Sequence, residues 1–190
     1  MWQSFVHFEL LLCRMLNRGC KFHGVHTLFA VVSRLGNGVA WYSLMLALPL
    51  AFGRQGLMAT LHMLVVGLCG LGIYLAIKQS TERPRPFSIC GNIRQGAVPL
   101  DRYSFPSGHT MHAVSLTVVA LHYLPMLMWV LVPFVILVAI SRVVLGLHYP
   151  TDVFCGALIG FLLATGSLLW FSGFSDHSSM TGFDADFDDF

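Results

Sequence analysis

At 190 residues the chain is long enough for one sizeable domain, and 56% of those residues are hydrophobic against 11% charged, with mean hydropathy +0.72. A water-soluble domain carries about 25% charged residues, so a soluble enzyme or a nucleic-acid-binding module is excluded and a polytopic membrane protein is indicated. The formal net charge of +2 hides an asymmetry: all 11 Lys and Arg lie before residue 176 with only Glu9, Glu82, Asp101 and Asp152, and the remaining acids crowd the C-terminal end.

Residues 2–18 set Phe5, Phe8, Leu11, Leu12, Met15 and Leu16 on one helical face, which predicts an amphipathic helix lying at the membrane surface. Glu9 and Arg14 interrupt this patch and no small-residue cleavage site follows, so it does not read as a signal peptide. A second short helix is expected over 25–35, ending at Gly36-Asn37-Gly38. Apolar segments then follow at 39–52 and 57–77, with Gly53-Arg54-Gln55-Gly56 turning the chain between them. The second of these spans about 31 Å at ~1.5 Å per residue, which matches a hydrocarbon core of roughly 30 Å.

A polar loop from Lys78 to Gly108 leads to apolar segments at 110–124 and 126–140, a polar break at 141–151, and a last segment at 152–171. The expected fold is all-α: a membrane helix bundle of five spans, or six if the N-terminal segment crosses. Residues 1–172 form its one domain, residues 1–36 lie at the interface, and residues 173–190 make an acidic disordered tail. Trp41, Trp129 and Trp170 suit interfacial positions. The five cysteines show no metal-type spacing and read as small apolar fillers.

If each segment crosses once, three polar stretches share one membrane face. The first is Lys78 to Pro86, whose prolines keep the chain extended around Arg83 and Arg85. The second is Pro106-Ser107-Gly108-His109. Pro106 is expected in the first turn of a helix, with the amides of Ser107, Gly108 and His109 free to meet an anion. The third runs from Ser141-Arg142 to His148 and Asp152. Pro150 is expected to open a helix, so that Asp152 reaches back to one imidazole nitrogen of His148 and leaves the other free to attack.

Taken singly these residues have plain alternatives. Lys78 and Arg142 could be snorkelling anchors, Arg83 and Arg85 a solvated loop, and Asp152 a helix-start acid. His109 and His112 could mimic a metal pair, but no nearby Cys or acid completes a ligand set. Charge favours the joint reading. Between Lys78 and Asp152 lie Lys78, Arg83, Arg85, Arg94, Arg102 and Arg142 against Glu82, Asp101 and Asp152. Cations gathered at a low-dielectric boundary call for an anionic partner, and arginine forks suit a phosphate dianion.

The ordered set Lys78-x6-Arg85-Pro86, Pro106-Ser107-Gly108-His109 and Ser141-Arg142-x5-His148-x3-Asp152 resembles the three signature motifs of the type 2 phosphatidic acid phosphatase family, which shares its site with bacterial acid phosphatases and vanadium haloperoxidases. The resemblance implies a lipid phosphatase without metal or other cofactor. In it His148 is the nucleophile, Asp152 its orienting acid, and His109 the general acid and then base. Lys78, Arg85, Ser107, Gly108 and Arg142 bind the phosphoryl oxygens. The implied partners are the bilayer and a lipid phosphate, with no nucleic acid. Undecaprenyl diphosphate is the favoured substrate on family frequency. Phosphatidylglycerophosphate, phosphatidic acid and lipid A phosphate stand as alternatives, and a vanadate-dependent haloperoxidase or a lipid transporter as other classes. The resemblance places the catalytic face on the periplasmic side of a bacterial inner membrane.

Overall fold

A computed structural model describes residues 2–99 and 101–180, and it is helical with no strand among them. Its helices are α1 (Trp2–Asn17), α2 (His23–Arg34), α3 (Ala40–Thr81), α4 (Pro86–Ile89), α5 (Gly108–Tyr123), α6 (Met128–Val144) and α7 (Pro150–Met180). Among the described residues three stretches are long and apolar enough to cross a membrane: His23–Ile89, Pro125–Val144 and Pro150–Ser172. The expected tail, residues 173–190, divides: α7 runs on past Ser172 to Met180, and residues 181–190 lie outside the described residues.

The long α3 is two arms. At Gly53 the backbone takes φ 53° and ψ −129°, a conformation that a side chain would strain, and the chain doubles back. Gly56 then lies against the carbonyl of Leu48, where any Cβ would collide, and the Thr60 hydroxyl donates to the Met45 carbonyl at 2.9 Å. The reversal expected from Gly53-Arg54-Gln55-Gly56 is therefore present. Between α2 and α3 the residues Leu35–Val39 form one wide turn with Gly38 at φ 115°.

The core sits around α5, which packs chiefly against α7 and the second arm of α3. Val66 and Met63 of α3, Leu116, Val119 and Ala120 of α5, and Ala164 of α7 fill it. Small residues set the α5–α7 distance: a Cβ on Gly156 would stand 2.6 Å from the Ser107 carbonyl oxygen, and one on Gly160 would collide with that of Met111. Close backbone approach of this kind is how helices pack where lipid tails offer no hydrophobic drive.

Two sequence expectations change here, at Pro106 and at Ser141-Arg142. Trp41 is buried against Phe134, with ring centroids 5.7 Å apart, so its ring faces protein. Trp129 and Trp170 are 80% and 77% exposed. Pro106 lies ahead of α5, because Ser107 is the N-cap and the helix begins at Gly108. Ser141 and Arg142 belong to the last turns of α6 rather than to a loop.

The α1 helix inverts the usual amphipathic rule. Its inward stripe is Glu9, Cys13 and Asn17, all buried, while Phe8, Leu11, Met15 and Leu16 face out. Asn17 explains part of this: its amide nitrogen donates to the carbonyls of Arg94 and Val144, and its oxygen accepts from the Arg94 amide at 2.7 Å. An outward apolar face suits a bilayer, not water.

Candidate active site

Each polar stretch is delivered by a helix end. Lys78 stands on the last turn of α3, Arg85 caps α4, Ser107 caps α5, Arg142 ends α6, and Asp152 lies in the first turn of α7, which Pro150 opens as expected. His148 sits in the link between α6 and α7. The amides of Leu147 and His148 both donate to the Arg142 carbonyl at 3.1 Å, so the arginine and the imidazole share one piece of backbone. Gly146 turns that link at φ +73°. The α5 start is tied to the α7 start because the Ser107 amide donates to the Asp152 carbonyl at 3.0 Å.

Arg85 is the hub. Its Nη1 donates to the Leu147 carbonyl at 2.8 Å and stands 3.3 Å from His148 Nε2. A guanidinium only donates, so Nε2 presents its lone pair to this side and the ring proton belongs on Nδ1. Nδ1 lies 3.7 Å from Asp152 Oδ2, which is close enough for ionic attraction and too long for a hydrogen bond, and it has no hydrogen-bond partner. The expected Asp152–His148 pairing is thus present as proximity. The Asp152 carboxylate is itself held elsewhere, by the Tyr149 amide at 2.8 Å and Arg83 Nη1 at 2.6 Å.

Burial, with repulsion from Arg142, Arg85 and Lys78, holds the His148 imidazole well below its ordinary range. It is neutral at pH 7, as a nitrogen nucleophile requires. His109 is half-buried on the first turn of α5 and interacts electrostatically with Arg142, His148 and Arg85. Arg142 is buried, donates to the Ser33 hydroxyl of α2, and keeps an unpartnered Nε. The sequence residues Lys78, Arg85, His109, Arg142, His148 and Asp152 therefore come together.

Two expected donors are differently employed. The Ser107 hydroxyl pairs with that of Thr110 at 2.9 Å, and its amide serves Asp152. Gly108 is packed against the Tyr74 ring, which a Cβ would approach to 2.7 Å.

Three site residues were not assigned a role from sequence. Asp101 binds Lys78 Nζ and Arg85 Nη2, both at 2.7 Å, and accepts from the Tyr74 hydroxyl. Arg83 bridges Asp152 to Glu9, each at 2.6 Å, and stacks on Tyr149 with 3.9 Å to the ring centroid. Glu9 also accepts from the Thr151 amide at 3.1 Å and the Thr151 hydroxyl at 2.5 Å. The one available signal for Glu9 was an acid set inside an apolar helix.

An apolar cavity of about 310 Å³ runs from the wide turn at Gly38 past Trp41, Met63 and Leu68 to His109 and His112. A smaller cavity of about 290 Å³ lies beside Lys78, bounded by Tyr74, Gln79, Asp101 and Tyr103.

Residues 56–176 match the family model of the PAP2 superfamily. The chain is 32% identical over 128 residues to the undecaprenyl-diphosphatase BcrC of Bacillus subtilis, covering 65% of this chain and 66% of that one. It is 42% identical over 59 residues to an undecaprenyl-diphosphatase of Sulfolobus acidocaldarius, covering 30% of this chain and 29% of the relative. The matches therefore span slightly less than two thirds of the first relative and under a third of the second. Among solved structures it resembles Aquifex aeolicus LpxE, with TM-score 0.69 and 26% identity over 84% of this chain and 93% of the other. It also shares the fold of a transmembrane PAP2 type phosphatidylglycerolphosphate phosphatase from Bacillus subtilis, with TM-score 0.66 and 24% identity over 92% and 95% of the two chains.

Proposed function

The chain belongs to the PAP2 superfamily, and from that premise we propose that it is an integral-membrane lipid phosphatase or diphosphatase acting on undecaprenyl diphosphate. The observation that carries the reading is the meeting of Arg85, Arg142 and Lys78 around His148 at the end of an apolar cavity that reaches His109. Cations suit the phosphate and the cavity suits an acyl or prenyl chain. The two undecaprenyl-diphosphatases among its relatives favour that substrate over the phosphatidylglycerophosphate, phosphatidic acid and lipid A alternatives.

In the proposed reaction His148 Nε2 attacks phosphorus and the bond from phosphorus to the leaving oxygen breaks. His109 gives that oxygen its proton. Water then attacks the phosphohistidine, His109 takes the water's proton, and the N–P bond breaks to release inorganic phosphate. Asp152 stabilises the positive imidazole that forms in the first step, after a small ring movement closes the 3.7 Å gap. Lys78, Arg85 and Arg142 hold the charge that gathers on the phosphoryl oxygens.

The two arms of α3 with α5, α6 and α7 make five crossings in this reading, with α1 on the surface. On family resemblance, this reading turns the catalytic face to the periplasmic side of a bacterial inner membrane. The test is phosphate release from purified lipid phosphates with EDTA present, comparing wild type with His148→Ala and His109→Ala. Loss of turnover in both, with lipid binding kept, is expected; a His148→Ala protein that still turns over ends the reading.

A further inference from the structure

We infer that Asp101 is the resident anion of the phosphate subsite, an exchangeable counter-ion that the incoming phosphate must displace from Lys78 and Arg85. The inference rests on the phosphatase reading above. A single oxygen, Asp101 Oδ1, takes Lys78 Nζ and Arg85 Nη2 together, each at 2.7 Å. One phosphoryl oxygen held by the same two cations would need the same position. The other carboxylate oxygen accepts from Tyr74, whose hydroxyl in turn accepts from Lys78 at 2.9 Å. Two of the three cations assigned to phosphate are therefore already engaged by an acid of the chain itself.

The balance of charge says why this occupant is replaceable. One carboxylate offsets one of three cations, and it does not reach Arg142, whose Nε is buried without a partner. A phosphate dianion offers a second charge and further oxygens, enough to engage Arg142 as well as Lys78 and Arg85. The carboxylate also has somewhere to go. The Asp101 side chain is 29% exposed, against 7% for Lys78 and 3% for Arg85, and it borders the cavity of about 290 Å³ on the Tyr103 side. While it stays, Asp101 keeps the buried cations from facing one another unscreened. The cost is affinity, so that singly charged phosphodiester headgroups compete poorly and a terminal phosphate dianion competes well. Asp101 thus helps to set which phosphate the site accepts.

The test titrates inorganic phosphate against the detergent-purified full chain by calorimetry, with KM for a lipid phosphate measured in parallel. Asp101→Asn keeps the shape and removes the charge, and it should bind phosphate at least about tenfold tighter, the low end for releasing a charge-assisted hydrogen bond. Its KM should fall in the same direction. Tyr74→Phe, which removes one of the bonds holding the carboxylate, should tighten phosphate binding by less, and it decides the matter if Asp101→Asn does not fold. Phosphate binding that is unchanged or weaker in whichever variants fold overturns the displacement while leaving wild-type turnover in place. A wild type that neither hydrolyses lipid phosphates nor binds phosphate overturns this inference and the phosphatase reading together.

Discussion

Glu9 and Arg83 meet at 2.6 Å across 74 positions of sequence, and through that contact α1 grips Asp152, the acid beside His148. Arg83 spends its other nitrogen on Asp152 and on the Thr151 hydroxyl. Glu9 spends its second oxygen on Thr151. Removing Glu9 leaves Arg83 with one carboxylate and Thr151 with unmet donors. Glu9→Ala should cost about 3 kcal/mol of stability, in the range for breaking a buried pair, and should lower kcat by roughly tenfold with KM little changed. Thermal unfolding in detergent and steady-state kinetics check both, and restoration of kcat by Glu9→Asp or Glu9→Gln distinguishes which of charge and shape matters.

The buried imidazole of His148 makes stability depend on pH in a stated direction. Its folded value lies below the ordinary one. The unfolded chain therefore gains a proton below about pH 6.5 that the folded chain refuses, and stability falls as pH drops through that region. The depressed carboxyl of Asp101, where hydrogen bonds from Lys78 and Tyr74 outweigh the upward push of burial, acts only at lower pH. The melting temperature should decline from pH 7 to pH 5, and His148→Asn should flatten part of that decline. Parallel curves for the two proteins would count against a neutral His148.

The α5–α7 contact should tolerate no side chain at its tightest point. Gly160→Ala places a methyl group against the Met111 carbonyl, and the helices must separate. Because the same helices carry His109 and Asp152, both stability and activity should suffer, the first by about 1–3 kcal/mol as for other overpacked sites. Gly166→Ala, on the same helix with open space around it, serves as the control and should match wild type in unfolding temperature.

The apolar cavity predicts a split between substrates. Gly67 lines it, and a Cβ there would meet only Leu116 at 3.7 Å. Gly67→Leu should therefore fold while filling part of the 310 Å³. KM for a long-chain lipid phosphate should rise by roughly tenfold, as expected for the loss of a few buried methylenes, with a short water-soluble phosphate monoester unaffected. Equal changes for both would argue against the cavity as the place of the chain.

The sequence made the helix ends legible because each site residue sits next to a break: Lys78 before Pro84, Ser107 after Pro106, Asp152 after Pro150. Gly53 marked its reversal for the same reason, since few other residues accept that backbone. Long-range pairing was not legible. Nothing local in Glu9 names Arg83 as its partner, and nothing in Asp101 tells that its carboxylate lies on Lys78 rather than in solvent. The burial of Trp41 was not legible because span position predicts depth in the membrane and not which side of a helix faces protein. The inward stripe of α1 was hidden for a related reason: hydrophobic periodicity finds the apolar face, and here that face is turned outward.

The contact between Ser107 and Asp152, with Glu9 reaching Thr151 from the other end of the sequence, carries a consequence for biosynthesis. A ribosome must emit the start of α7 before the proposed reaction centre can assemble, even though Lys78, Arg85 and Arg142 have by then been made. Nascent chains halted earlier would possess the charges and lack the chemistry. Under the proposed reaction, hydrolysis reports that membrane insertion has reached α7.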